Sequence, residues 1–245
     1  MAIPLILIRV GNALGKPFGV NPFPRAFVNA NAPDGREAAF DAIYQNNGWN
    51  STESLSGPGS EVERTKAYRR ELEQCLNCLD TKTLFDAPCG DLNWILPVVG
   101  ERAYIGGDIA SSLIADLQKT HPDLDLRVFD ICTDEFPACD VWHCRDCLFH
   151  LPFDDIWKAL QNYIDSGIPY ALLTTHRSRA LHRNVDVRAG GWRYLDLEMA
   201  PFSLVRPRAY LRDFRPLFDF PRYVGLWSRE QIGRALTQRM ETKHR

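Results

Sequence analysis

Between residues 61 and 79 the apolar positions Val62, Tyr68, Leu72, Cys75, Leu76 and Leu79 recur at helical spacing, which predicts an amphipathic helix. Ser60 and Glu63 have the spacing of a capping box at its start, with Ser60 as N-cap. The rhythm then shortens. "TLFDA" is a brief apolar run, followed by a short helical stretch limited by Pro97. "AYIGGD" (103–108) is a second run, with Leu113, Ile114 and Leu117 marking the next helix. "LRVFD" (126–130), "DVWHCRD" (140–146) and "YALLTT" (170–175) are three more predicted strands. Between the last two, Asp154 is expected to cap a helix carrying Ile156, Leu160 and Ile164, and Gly167 to end it. Strands alternating with helices in this way predict a parallel sheet in a doubly wound α/β fold. Leu195, Leu197 and Met199 alternate, as does "YVGLW" (223–227) less cleanly, so two late strands are expected to pair antiparallel at the sheet's edge.

Ahead of this pattern, residues 1–35 carry scattered glycines and prolines and read as an extension. Residues 36–48 predict a short helix ended by Gly48, and "WNSTESLSGPGSEVERT" a Ser/Gly/Pro-rich loop that runs into the long helix. The opening "MAIPLILIRV" is apolar for too few residues to span a bilayer, and no small-residue cleavage site follows. A cytoplasmic protein is expected, which makes the sequon Asn50-Ser51-Thr52 a chance match.

Composition adds little until it is mapped. The 245 residues suit one large domain, and 29 basic against 31 acidic residues give no global field for nucleic acid. Between Arg177 and Arg215, however, nine arginines face four acids, which suggests an anionic ligand or a solvated face. Seven cysteines in mostly apolar runs fit a reducing compartment. Cys75/Cys78 and Cys144/Cys147 have Cys-x-x-Cys spacing, but the two pairs lie too far apart for a zinc ribbon and the first falls within a helical pattern. Free thiols are expected, and no metal.

The predicted strand ends carry the chemistry. Asp86, Asp108 and Asp130 close the first three strands, each 22 residues after the last. In doubly wound sheets ligands bind beyond the carboxyl ends of the strands, where an acid about 20 residues after the first turn accepts the two hydroxyl hydrogens of a ribose. The third acid can accept from an exocyclic adenine amine. The first turn, "DAPCGDLN", has one glycine and lacks the Gly-x-Gly-x-x-Gly that lets a backbone approach a pyrophosphate. Asp91 adds negative charge there, which disfavours a dinucleotide. A nucleoside bearing a sulfonium and an ammonium group, S-adenosylmethionine, suits these acids better.

At this point a resemblance becomes explicit. Residues 84–175 resemble a class I S-adenosylmethionine-dependent methyltransferase domain, with "LFDAPCGD" where the family has Asp-x-Gly-x-Gly-x-Gly; Pro88 replaces the first glycine and Leu92 the last. "FDAPCGDLNW" resembles a bacterial subgroup that keeps this proline form and attaches to sugar and capsular-polysaccharide pathways. "CRDCLFHLPF" (144–153), "WNSTESLSGPGS" and "NVDVRAGGWRYLDLEMAPF" (184–202) resemble further segments of that subgroup, so the likeness covers about residues 40–227. It implies a mostly parallel, seven-stranded Rossmann-like sheet with an antiparallel edge strand. The implied organisation is an extension over 1–35, a lid loop and helix over 36–83, and the cofactor-binding domain over 84–245.

It also implies roles. Asp86, Pro88 and Gly90 would shape the methionine pocket, Asp108 and Ile109 would hold the ribose, and Asp130 with Ile131 would flank the adenine. Trp49, Ser54, Gly57, Gly59 and Ser60 would form a lid, and Arg145 would join the cofactor site. Methyl transfer to a hydroxyl needs a base. The candidates after the fourth and fifth strands are His176 and His150, ranked nearly level, with Asp146 behind; His150 reads equally as a packing histidine. Asn184, Asp186, Trp192 and Arg193 would contact the acceptor, with Trp192 as a plate for a sugar ring. The expected acceptor is a small polar molecule, a sugar or a sugar-phosphate or nucleotide-linked derivative whose phosphates the arginines would read, with a homodimer left open. Two alternatives stay open: an RNA methyltransferase, motivated by the same arginines but without a separate RNA-binding module, and an inactive binding protein that keeps the fold.

Overall fold

The computed structural model describes residues 26–27, 33–177, 182–214 and 221–243. Its centre is a seven-stranded sheet in the order β4-β3-β2-β5-β6-β9-β8. The strands are β2 (Thr83–Asp86), β3 (Ala103–Asp108), β4 (Asp125–Val128), β5 (Val141–Cys144), β6 (Tyr170–His176), β8 (Ala209–Phe214) and β9 (Arg222–Ser228). The first five run parallel; β9 is antiparallel to β6, and β8 antiparallel to β9. The chain steps outward from β2 to β3 and β4, then returns to place β5 on the other side of β2. This reversal opens a crevice at the carboxyl ends of β2 and β5. Two residues of the N-terminal extension, β1 (Ala26–Phe27), pair antiparallel with β7 (Trp192–Arg193); residues 1–25 and 28–32 lie outside the described residues.

Near-continuous apolar runs suit strands covered on both faces, and their alternate side chains feed two cores. Phe85, Trp142, Ala171 and Leu173 point to one, filled by Ile156, Leu160 and Tyr163 of α5 (Phe153–Ser166) and Ile232 and Leu236 of α6 (Arg229–Lys243). Leu84, Val141 and Leu172 point to the other, against Tyr68, Leu72 and Leu76 of α2 (Val62–Cys78) and Leu113, Ile114 and Leu117 of α4 (Ser111–Thr120). Two further short helices, α1 (Arg36–Gln45) and α3 (Leu96–Val99), and two 3-10 turns, Pro58–Ser60 and Leu148–His150, complete the described elements. All seven cysteines are free; Cys75 packs in one core and Cys144 and Cys147 in the other, while Cys78 is exposed.

Several element ends differ from the sequence reading. The long helix starts at Val62 with Glu61 as N-cap, and Ser60 belongs to a preceding turn of 3-10 helix; the Val62 N–H is capped instead by Glu53 Oε1 at 2.6 Å. Asp154 lies inside the first turn of α5, whose Phe153 N–H is received by Asp186 Oδ1 at 2.8 Å. α1 ends at Gln45, before Gly48. Residues 195–199 form no strand. They follow the end of β6 through bonds such as Leu197 N to Thr175 Oγ1 (3.0 Å), because the adjoining position in the sheet is filled by β9. The edge therefore holds two strands, β9 and the unforeseen β8.

Gly107 in β3 marks how tightly the layers close. A Cβ there would lie 2.9 Å from Phe129 Cβ, so Gly107→Ala is expected to destabilise the fold by about 1–3 kcal/mol through overpacking. Urea unfolding measures it, and wild-type stability would show that the contact yields.

Candidate active site

At the carboxyl end of β2 the chain must turn out of the sheet, and the turn is built around buried carboxylates. Asp86, almost fully buried, accepts from His143 Nδ1 at 2.6 Å and from the Tyr104 hydroxyl at 2.8 Å. The carboxylate only accepts, so Nδ1 carries the His143 proton and Nε2 receives the Tyr68 hydroxyl at 2.8 Å. Asp108, at the end of β3, accepts from Gly90 N (3.1 Å) and Ala110 N (3.0 Å). Burial pushes its carboxyl up to about 6 despite these bonds. Asp130, just past β4, receives Cys132 N at 2.9 Å and pairs with Arg36 at 2.6 Å; Arg36 also reaches Asp155 at 2.9 Å and so ties α1 to the sheet. The three aspartates spaced along the sequence line one cleft of about 220 Å³.

The Ser/Gly loop closes over this cleft. Asp91 receives Ser54 Oγ (2.9 Å), Ser56 Oγ (3.1 Å) and Leu55 N (2.7 Å), so its charge is spent on holding the loop. Gly90 makes the approach possible: its φ is +58°, and a Cβ would lie 2.3 Å from Ser56 Oγ. Gly59 approaches the opposite wall, where a Cβ would lie 2.8 Å from Asp146 Oδ2. Trp49 lies against His150, ring centroids 4.4 Å apart.

That opposite wall is a charge cluster. Arg145 pairs with Asp213 (2.7 Å) and Asp146 (3.4 Å) and donates to Gly59 O at 2.8 Å; Arg222 pairs with Asp146 (2.9 Å) and Asp213 (2.6 Å). Two cations and two anions balance. Burial raises the Asp146 carboxyl against the pull of Arg145 and Arg222. Asp146 holds φ +54°, with its N–H on Thr174 Oγ1 at 2.9 Å.

The two candidate histidines differ. His150 lines the cleft and its Nδ1 meets Gly191 O at 2.6 Å; a carbonyl only accepts, so Nδ1 is protonated and Nε2 keeps a lone pair. His176 is buried, does not line the cleft, and receives Leu195 N on Nδ1 at 3.2 Å, which leaves its proton on Nε2. Burial lowers both to about 3, so both are neutral near pH 7.

Of the other residues singled out in the sequence, Trp49, Gly57, Gly59, Ser60, Pro88, Gly90, Ile109, Ile131, Arg145, Asp146 and Trp192 line the cleft. Ser54, Asn184, Asp186 and Arg193 do not. Asn184 Nδ2 donates to Asp196 O at 2.8 Å and Ala200 O at 2.9 Å, and Arg193 is buried over the Phe153 ring at 4.9 Å, where burial lowers it to about 10. Seven of the nine arginines between 177 and 215 are described, since Arg179 and Arg215 are not, and none of these lines the cleft. Arg36, Tyr44, Ser56, Trp94, His143 and Arg222 line it without having been anticipated. Ser56 lay in a segment already read as a lid; the others become visible only through long-range pairing. Among the described residues no group of three or more His, Cys, Asp or Glu could hold a metal ion, and no helix is long and apolar enough to cross a membrane.

Sheet order, flanking helices and a cleft at the switch point together define the Rossmann-like methyltransferase fold. The chain is similar to Burkholderia thailandensis 1,6-didemethyltoxoflavin-N1-methyltransferase, solved with 1,6-didemethyltoxoflavin and S-adenosylhomocysteine bound, at 16% identity over 84% of this chain and 98% of that one, with a TM-score of 0.55. It is also similar to the methyltransferase domain of bacterial CtHen1-CN, at 11% identity over 69% and 100% of the two chains, with a TM-score of 0.51. At these identities the likeness is one of fold. No protein-family model and no curated protein matches the sequence.

The elevated Asp108 carboxyl has a consequence for stability. Its folded value lies above the usual 3.8, so the native state holds this proton longer than the unfolded chain does and loses stability as pH rises from about 4 to 6. Asp108→Asn removes that titration. The stability difference between variant and wild type, from urea unfolding of ligand-free protein, is expected to shift in the variant's favour by on the order of 3 kcal/mol across this window. A constant difference would contradict the assignment.

Proposed function

We propose that this protein is an S-adenosylmethionine-dependent methyltransferase acting on a hydroxyl of a small, polar, ring-bearing acceptor such as a sugar. The reading is carried by one observation: three buried or half-buried carboxylates at successive strand ends and a neutral histidine with a free Nε2 line the same cleft. Carboxylates accept, and the cofactor offers hydroxyl and amine donors and a net positive charge, so the donor set fits. The shortage of glycines beside Asp91 still argues against a dinucleotide.

In this reading Asp108 accepts from the ribose, Asp130 and Ile131 flank the adenine, and Asp86 with Gly90 shapes the amino-acid end. The 49–60 loop covers the cofactor, and the 36–83 region serves as lid and brace. When bound, S-adenosylmethionine supplies an electrophilic methyl group. His150 supplies the base. Its low proton affinity limits it to taking the proton on Nε2 as the acceptor oxygen gains its new bond and becomes strongly acidic. Trp49, Phe149 and Trp192 give the acceptor ring flat apolar faces, and exclusion of water by the loop favours the aligned displacement.

The charge balance favours an acceptor without phosphates. Arg145 and Arg222 are both engaged by Asp146 and Asp213, and Arg36 by Asp130 and Asp155. Of the arginines that suggested RNA, Arg177 lies over Tyr210 at 4.5 Å and Arg212 on Glu71 at 2.5 Å. The free thiols agree with a cytoplasmic setting.

The test is transfer of a labelled methyl group from S-adenosylmethionine to a panel of neutral glycosides, amino glycosides, sugar phosphates and nucleotide-linked sugars. Transfer to a neutral or amino glycoside is expected, with kcat falling about 10²–10⁴-fold in His150→Ala. Transfer confined to phosphorylated acceptors, or an undiminished rate in the variant, would contradict the acceptor class or the base.

A further inference from the structure

His150 sits at the end of a short turn, Leu148–His150, between β5 and α5, where the Phe149 ring packs on its own ring at 4.3 Å without setting its tautomer. What fixes it comes from 40 residues downstream. Gly190 N donates to His150 O at 3.0 Å, and Gly191 O receives His150 Nδ1 at 2.6 Å, so one dipeptide grips both the backbone and the ring. Gly191 N closes its turn on Arg188 O at 3.0 Å, and Gly190, at φ +76°, is wedged so that a Cβ would lie 3.1 Å from Ile43 Cδ1 of α1. Asp186 Oδ1 receives both Val187 N (2.9 Å) and Phe153 N (2.8 Å), which ties the segment to the residue where α5 begins, three positions after His150. Asn184 pins the other end, with Oδ1 receiving Asp196 N at 2.9 Å.

We propose that residues 184–191 form a clip that sets the tautomer and orientation of His150, with Asp186 and the Gly190–Gly191 turn as positioning residues for the base. This rests on the reading of His150 as the base. An unrestrained neutral imidazole favours the proton on Nε2, which would leave only a donor facing the cleft. The clip reverses that preference by presenting a carbonyl that Nδ1 must satisfy. The cost of a buried, unmet carbonyl or ring nitrogen enforces it. The Trp49 and Phe149 rings, with centroids 4.4 and 4.3 Å from that of His150, hold the ring in position. The charged groups acting on it are Arg193 and Arg222, and both disfavour a second proton. Asp186 is exposed and acts through its acceptor oxygen, so its charge is dispensable.

The experiment needs no acceptor. Long-range proton–nitrogen correlation spectra of the full chain, labelled with ¹⁵N at its six histidines and assigned with His150→Gln, report which ring nitrogen carries the proton. At neutral pH His150 is expected to show a protonated Nδ1 and an unprotonated Nε2. Asp186→Ala should move that pattern toward the Nε2–H form, while Asp186→Asn, which retains an acceptor oxygen, should restore it. Gly190→Ala, strained at its positive φ, provides the second disruption if the first variant does not fold. An Nε2–H tautomer in the wild type, or a pattern unmoved by disruption, would overturn the proposal. Calorimetric binding of S-adenosylhomocysteine by the same samples separates the two claims. Asp186→Ala should bind as wild type does, because Asp186 does not line the cleft, and failure of wild type to bind would count against the cofactor reading alone.

Discussion

A carboxylate buried at the end of a parallel strand must be met by donors, and this requirement organises the carboxyl edge of the sheet. Asp86 draws in His143 and Tyr104 from the two neighbouring strands, and through His143 it reaches Tyr68 on α2. Asp108 draws the Gly90 amide inward and thereby sets the turn after β2. Asp130 draws Arg36, and with it the start of α1. The cleft is the space these bonds leave, and its walls are fixed by them rather than by apolar packing alone. The two amides that Asp108 receives do not offset its burial, as its raised carboxyl records. A site of this kind is kept at some expense in stability, as functional sites commonly are.

Asp91 extends the same logic to the loop above. Its carboxylate gathers two serine hydroxyls and a backbone amide from residues 54–56, so the loop rests on the turn that forms the cleft floor. On the far side the carbonyl of Gly59 is held by Arg145, itself locked in the balanced cluster with Asp213, Asp146 and Arg222. The loop is therefore latched at both ends to buried charge. Both latches consist of polar bonds, unlike the apolar packing beneath them.

Much of this was legible in the sequence because it is periodic or local. The helix and strand rhythms, the three aspartates at equal spacing and the Ser/Gly loop all announce themselves within a short window. β8 did not: "AYLRDF" alternates a buried Leu211 with an exposed Arg212, and it lies in an arginine-rich tract that reads as surface. Arg36 and Asp130 are 94 positions apart, and Arg145 and Asp213 are 68 apart, so neither pair has a local signature. Asn184 and Asp186 show a different limit. Polar residues beside a site suggest ligand contacts, but a loop that crosses a sheet edge without strand pairing must also satisfy its own backbone, and these side chains do that. The ranking of His176 beside His150 had the same origin, since both come at or after strand ends. Only the folded chain shows that His150 lines the cleft with Nδ1 as donor, while His176 does not line it and accepts on Nδ1.

The most direct test of the central claim is calorimetric titration of S-adenosylhomocysteine into the wild type and Asp108→Ala. Micromolar binding, about −8 kcal/mol, that collapses in the variant is the expected result, because the ribose would lose its acceptor. Absence of binding to a folded wild-type protein, or equal binding by the variant, would contradict the assignment of this carboxylate-lined cleft to the cofactor.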